Sequence, residues 1–218
     1  MKYKSIIFDC DGVLVDSEAI SNAVLLSMAK ELGAKITLEY AEQEFSGKSL
    51  KSAFDDIEQH LGRNLPASFE KEYRQRTYEA FKTQIQPVKG IHEVINALSV
   101  PFCVASSGPL EKIKLNLKTT ELLDKFEGRI FSSYEIGSWK PDPGIFEYAA
   151  AKMGFKPEEC VVIEDSVAGV QAAKKGGFDV FGFGNQRTHA ALEEEGAQVF
   201  FKMENLLGLL DVHENYKP

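Results

Sequence analysis

The sequence predicts an α/β fold, a doubly wound parallel sheet whose first strand is followed by an inserted four-helix domain. Three observations carry this reading. Short apolar runs end abruptly in polar or charged residues at 9–12, 106–108 and 164–166; helical patterns alternate with such runs from residue 90 onward; and between 17 and 86 helical patterns follow one another with no strand between them. A chain of 218 residues accommodates one large domain with a smaller insert. Its 44% hydrophobic and 11% aromatic content fills a core without disulfide or metal staples and excludes wholesale disorder.

The first strand is expected at 4–8, where Ile6, Ile7 and Phe8 are apolar at consecutive positions, as they must be when helices cover both faces of a parallel sheet. It stops at Asp9-Cys10-Asp11-Gly12. The insert spans 17–86, with helices expected at 18–32, 38–45, 49–61 and 67–82. Ala23, Leu26 and Ala29, with Met28 and Leu32, recur at the three- and four-residue spacing of a bundle face. Its joints, Asp16-Ser17 and Gln86-Pro87, are short enough to act as a hinge. The remaining core, 1–16 with 87–218, alternates helices at 90–98, 109–117, 143–153 and 167–175 with strands at 102–105, 160–163 and 179–183 and a shorter one at 129–131. Ligands bind beyond the carboxyl ends of the strands in such sheets, so the polar residues gathered there form the expected site.

The formal charge of −8, from 25 basic and 33 acidic residues, argues against binding to nucleic acid or an anionic membrane, which reward clustered Lys and Arg. Cys10, Cys103 and Cys160 are widely spaced with no C-x-x-C, which fits small buried side chains in a reducing compartment. Near the start only Ile6-Ile7-Phe8 is apolar, too short for a signal-peptide core or a membrane span, so a cytoplasmic location is expected.

Asp9 and Asp11 stand one residue apart at a strand end, followed by Gly12, which permits a tight turn and a close backbone approach. Carboxylates this close resist double ionisation unless a cation or a proton is shared. Read for function, the pair is a nucleophile beside a general acid with a metal ion; taken alone, a surface turn is the plainer reading. Glu164-Asp165 forms a second acidic pair on another strand end, and hard oxygen ligands from two loops suit octahedral Mg2+. Capping of the following helix by Asp165 or Ser166 is the plainer reading of that pair taken by itself. Ser106-Ser107-Gly108-Pro109 offers two hydroxyls and free amides ahead of a helix with Pro109 as its expected first residue, an arrangement that favours phosphate, although taken alone ordinary serine capping accounts for it at least as well. Lys140, within Trp139-Lys140-Pro141-Asp142-Pro143, is a cation on a loop stiffened by two prolines, placed to serve a phosphoryl oxygen or the aspartyl pair. His60, His92, His189 and His213 lack metal-ligand spacing and read as surface or packing residues; Trp139 reads as loop packing, Glu193-Glu194-Glu195 as a solvated helix end and Cys10 as a small strand-end residue.

With these residues in view the chain resembles the haloacid dehalogenase superfamily, in its beta-phosphoglucomutase-like and sugar-phosphate phosphatase branch. Four motifs in order carry the resemblance: the run from Asp9 to Glu18, Ser106-Ser107-Gly108, Lys140-Pro141-Asp142-Pro143, and Val162 to Ser166 with Gly169. The resemblance implies that Asp9 forms an aspartyl-phosphate and that Asp11 protonates the leaving alkoxide and then deprotonates the hydrolytic water. It implies Mg2+ held by Asp9, the Asp11 carbonyl and Asp165, with Glu164 directly or through water. Ser106, the Ser107 amide and Lys140 would hold the phosphoryl oxygens.

Asp11 sets the chain apart from dehalogenases and phosphonate-cleaving relatives, which lack an aspartate there. Phosphomutases of this branch carry a histidine, an arginine and a further basic residue where this chain has Ser21, Leu50 and Pro109-Leu110, so the resemblance favours a phosphatase over a mutase, and the Ser106-Ser107-Gly108-Pro109 stretch with the compact insert is similar to sugar-phosphate phosphatases, the 6-phosphogluconate type among them. A non-enzymatic phospho-aspartate module is the third alternative, and it lacks a helical insert. Substrate choice is expected in the insert, where Gly47 and Lys48 lie in Ser46-Gly47-Lys48-Ser49; Arg74 and Arg76 could add charge, though each taken singly reads more simply as part of a solvated helix face. The expected partner is a small phosphorylated metabolite, with no nucleic acid and no membrane, and the expected state is a monomer or weak homodimer. The acidic balance does not disfavour such an anion, because Asp9, Asp11, Glu164 and Asp165 converge where Mg2+ offsets their charge.

Overall fold

A computed structural model describes residues 2–45 and 50–210. Strand β1 (Ser5–Phe8) is buried throughout, and β2 (Val15–Asp16) follows a tight turn. Helices α1 (Glu18–Glu31), α2 (Leu38–Glu44), α3 (Leu50–Leu61) and α4 (Phe69–Gln84) come next, and β3 (Gln86–Pro87) pairs with β2. Then come α5 (Ile91–Ala97), β4 (Phe102–Ser106), α6 (Leu110–Thr119), β5 (Ile130–Ser132), the short α7 (Ser133–Ile136), α8 (Gly144–Met153) and β6 (Cys160–Glu164). The chain continues through α9 (Val167–Lys175), β7 (Asp179–Phe183), α10 (His189–Glu194), β8 (Gln198–Phe200) and α11 (Asn205–Leu209).

Six strands form one parallel sheet in the order β5-β4-β1-β6-β7-β8. From β1 the chain builds outward through β4 and β5, then returns to β6 on the other side, which makes β1 the point where the winding reverses. Alternation sorts the side chains. Ile7, Cys103, Ala105, Cys160 and Val162 pack with Ile145, Phe146 and Ala149 of α8 and Val170 and Ala173 of α9 on one face. Phe8 and Phe102 face the other way and meet Phe126 edge-on, with ring centroids 5.1–6.3 Å apart. Both faces are therefore covered, which is why the strand cores are continuous apolar runs.

The chain divides into two compact units, Met1–Val15 with Gln86–Pro218, and Asp16–Ile85. The second has its own core, in which Leu25, Leu26, Met28 and Ala29 of α1 pack with Phe45, Ala53, Ile57 and Phe69.

The structure differs from the sequence expectation in several features, among them the short helices α7 and α11, for which no helix is expected. The sheet has a sixth strand, β8, whose Gln198-Val199-Phe200 is too short to register as a periodic pattern. The two short strands β2 and β3 carry no apolar run. Pro109 and Pro143 stand one position outside the helices they precede, as N-cap residues, because their fixed φ suits either place. Among the described residues no helix is long and apolar enough to cross a membrane.

Candidate active site at the carboxyl end of the sheet

Register assembles the site. Phe8 lies opposite Val104 of β4 and Ile163 of β6, so the segments that follow these three residues emerge side by side. The Asp9 amide donates to the Ile163 carbonyl at 3.0 Å, which fixes the first aspartate beside the Glu164 position. The chain then closes on itself. The Cys10 carbonyl accepts from the Leu14 and Val15 amides at 3.0 and 3.1 Å, and the Gly12 amide donates to the Val15 carbonyl at 2.8 Å. Gly12 sits at φ +83°, and a β-carbon there would overlap the Asp165 carboxylate. Glycine at this position therefore lets the two acidic loops touch.

Asp9 is buried, and the ammonium of Lys140 reaches its Oδ1 at 2.5 Å and the Oε1 of Glu164 at 2.6 Å. Burial holds the Asp9 carboxyl above its ordinary range, with the charges of Glu164 and Asp11 adding to the effect and Lys140 opposing it. For Lys140, burial acts to lower the pKa, but the two carboxylates more than offset it and the side chain stays charged. Lys140 also lies over the Phe146 ring, 4.8 Å from its centroid. Its loop is stapled by Asp142, whose Oδ1 accepts from the Ser138 hydroxyl and, at 3.0 Å, from the Gly144 amide. The Asp142 amide donates to the Trp139 carbonyl at 2.9 Å, and Trp139 packs edge-on against Tyr134. Of the two services expected of Lys140, the structure places it on the aspartyl cluster.

Glu164, expected as a metal ligand directly or through water, has both oxygens engaged by the chain. It is fully buried; its Oε1 accepts from Lys140, and its Oε2 accepts from the Asp165 and Ser166 amides at 2.8 Å and from the Ser166 hydroxyl at 2.9 Å. These contacts make Glu164 the anchor of Lys140 and of its own loop. Gly169 on α9 leaves room for it, since a β-carbon there would overlap the Glu164 carboxylate. The cap of α9 is Ser166, whose Oγ accepts from the Gly169 amide at 3.1 Å, and Asp165 does not fill that position.

Ser106 ends β4 and is buried, and its Oγ accepts from the Gly108 amide at 3.1 Å. The Gly108 carbonyl in turn accepts from the Ser132 hydroxyl at 2.6 Å, so the loop is tied to β5. Ser107 is half-buried at the same edge. Gly47 and Lys48 lie outside the described residues, as does His213. Arg74 pairs with Glu70 at 2.7 Å and Arg76 with Glu31 at 2.6 Å, all four within the helical unit.

Two residues of the site escaped sequence reasoning. Lys112 on α6 pairs with Asp11 Oδ2 at 2.7 Å, and Asn116, one turn further, directs its amide nitrogen toward Asp11 Oδ1 at 3.4 Å. The available signal was Asn116 itself, a polar residue between Ile113 and Leu117 on the buried face of an amphipathic helix.

Among the described residues no three carboxylate, imidazole or thiolate groups close on one point. Lys140 stands between Asp9 and Glu164. The donor set nevertheless fits a hard divalent cation. Asp9 and Asp165 offer carboxylates from adjoining loops, and an ion that keeps several waters needs few protein ligands. Four carboxylates, Asp9, Asp11, Glu164 and Asp165, with the ammoniums of Lys112 and Lys140, leave two formal negative charges, which one such cation cancels.

Comparison with known proteins identifies the family. Residues 3–177 match the haloacid dehalogenase-like hydrolase family. The chain is 33% identical over 183 residues to a 6-phosphogluconate phosphatase of Escherichia coli, covering 84% of this chain and 83% of that protein. It is 26% identical over 213 residues to a phosphorylated carbohydrates phosphatase of Thermotoga maritima, covering 95% and 98%. A haloacid dehalogenase-like protein of unknown function from Agrobacterium tumefaciens superposes with a TM-score of 0.87 at 29% identity, covering 95% of this chain and 97% of the other.

Proposed function

The chain belongs to the haloacid dehalogenase-like hydrolases and is a phosphoric monoester hydrolase, and we propose that it releases phosphate from small phosphorylated sugars or sugar acids. In this reading it works with Mg2+ and through an aspartyl-phosphate on Asp9. The 6-phosphogluconate phosphatase activity of the Escherichia coli relative makes 6-phosphogluconate the first substrate to try. The observation that carries the reading is Asp9 itself, buried at the end of the central strand with Lys140 at 2.5 Å.

In this reading Asp9 attacks phosphorus in line with the departing alkoxide. Lys140, held by Glu164, orients the nucleophile and keeps positive charge where phosphoryl oxygens gather. Ser106 and the Ser107 amide bind the phosphoryl group at the adjoining strand end. Asp11 gives its proton to the leaving oxygen and then takes one from the water that cleaves the aspartyl-phosphate. Mg2+, held by Asp9, the Asp11 carbonyl and Asp165, would supply charge neutralisation for the phosphoryl oxygens.

Asp9→Asn removes the nucleophile while keeping its shape. Turnover of 4-nitrophenyl phosphate in Mg2+ is expected to vanish while circular dichroism stays that of the folded protein. Retained activity would remove Asp9 from the mechanism. A phosphate-release screen across sugar phosphates, 6-phosphogluconate and nucleotides identifies the substrate, and a preference for nucleotides would contradict the sugar-phosphate assignment.

A further inference from the structure

We infer that Lys112 and Asn116 of α6 are positioning residues for Asp11, setting which way its carboxyl group faces. The inference deepens the phosphatase reading and rests on it. Asp11 follows a strand end, and the turn that Gly12 imposes holds its backbone. Its side chain is 29% exposed and takes its direction from another element: Lys112 Nζ lies 2.7 Å from Oδ2 and Asn116 Nδ2 lies 3.4 Å from Oδ1, so each oxygen has a donor from a single helix.

Asn116 supports this independently. It is fully buried on the apolar face of α6, and its Oδ1 has no hydrogen-bond partner among the described residues. Leaving a buried amide oxygen unsatisfied disfavours asparagine, so packing alone would select an aliphatic residue there. The amide group is explained by the carboxyl it faces. Lys112 and Asn116 are four residues apart and share a helix face, which lets a rigid element rather than a loop aim both donors.

The proposed chemistry decides how such a role is detected. As the bond from Asp9 to phosphorus forms, the bond from phosphorus to the leaving oxygen breaks, and the Asp11 proton passes to that oxygen. A leaving group that is stable as an anion needs this proton little; a poorer one needs it more. Displacing Asp11 therefore penalises poor leaving groups selectively, whereas loss of a phosphate contact or of overall structure penalises all substrates alike.

The test measures kcat/KM in Mg2+ for aryl phosphates ranging from 4-nitrophenyl to phenyl phosphate, in the wild type and in Lys112→Met, Lys112→Arg and Asn116→Leu. For Lys112→Met the expected loss is about ten- to a hundredfold on phenyl phosphate and less than about threefold on 4-nitrophenyl phosphate, giving a steeper dependence on leaving group. Lys112→Arg should recover most of the lost rate, and Asn116→Leu should steepen the dependence to a smaller degree. An even loss across the series in Lys112→Met, or no loss, with an active wild type overturns the positioning role alone. A wild type inactive on the whole series overturns the phosphatase reading, and the positioning role with it. Lys112 is partly exposed, so its variants are expected to fold even if Asn116→Leu does not.

Discussion

A left-handed turn at Gly12 lets the Asp165 carboxylate lie where any side chain on residue 12 would stand. Alanine there meets two penalties, a backbone cost of about 1–2 kcal/mol and displacement of Asp165. Gly12→Ala should therefore lower the melting temperature and raise the Mg2+ concentration for half-maximal activity, read by thermal unfolding and a metal titration. An unchanged metal requirement would detach Asp165 from the cation. At this scale, legibility followed chemical type. Asp9, Asp11 and Asp165 could be read because charged residues at the ends of apolar runs have few structural reasons to be there, and Lys140 because two prolines stiffen the loop that carries it. Glu164 was read as an acid of the same kind, and its acceptance of hydrogen bonds from Lys140 and three loop donors depends on contacts that a linear sequence does not display. Lys112 was hidden for a related reason: one lysine on a helix with two others looks like a solvated charge until the helix is placed against the end of β1.

The elements supply the distances. Parallel pairing of β1 with β4 and β6 brings 9–12, 106–108 and 164–166 to one edge, and the same pairing made the strands readable as uninterrupted apolar runs. β8 was not readable because three residues at a sheet edge need only one buried side chain, Phe200, and present no period. The loop between α7 and α8 is the element on which Lys140 depends most. Asp142 accepts from Ser138 and Gly144 and so closes the loop on itself, which gives the aspartate between the two prolines a structural task. Asp142→Ala should reduce kcat on 4-nitrophenyl phosphate by about tenfold through a misplaced Lys140, with little change in unfolding temperature. Undiminished kcat would show that the prolines and the Glu164 contact are sufficient to hold the lysine.

Across the whole molecule, an acidic chain handles an anionic substrate by keeping the relevant charges local. The formal charge is −8, yet the site's carboxylates are matched by Lys112 and Lys140 to within the charge of one divalent cation. The sheet-bearing unit holds every described residue of the proposed chemistry, and the four-helix unit folds around a core of its own. That division was legible because a helical stretch without strands cannot belong to an alternating α/β pattern. Phosphoryl transfer to Asp9 is the claim on which the rest depends, and direct trapping tests it. The enzyme is quenched during turnover of 4-nitrophenyl phosphate in Mg2+, reduced with borohydride and mapped by peptide mass spectrometry. The result expected is conversion of Asp9, and of no other carboxylate, to homoserine; reduction at a different residue, or none at any quench time while phosphate is being released, would contradict the account.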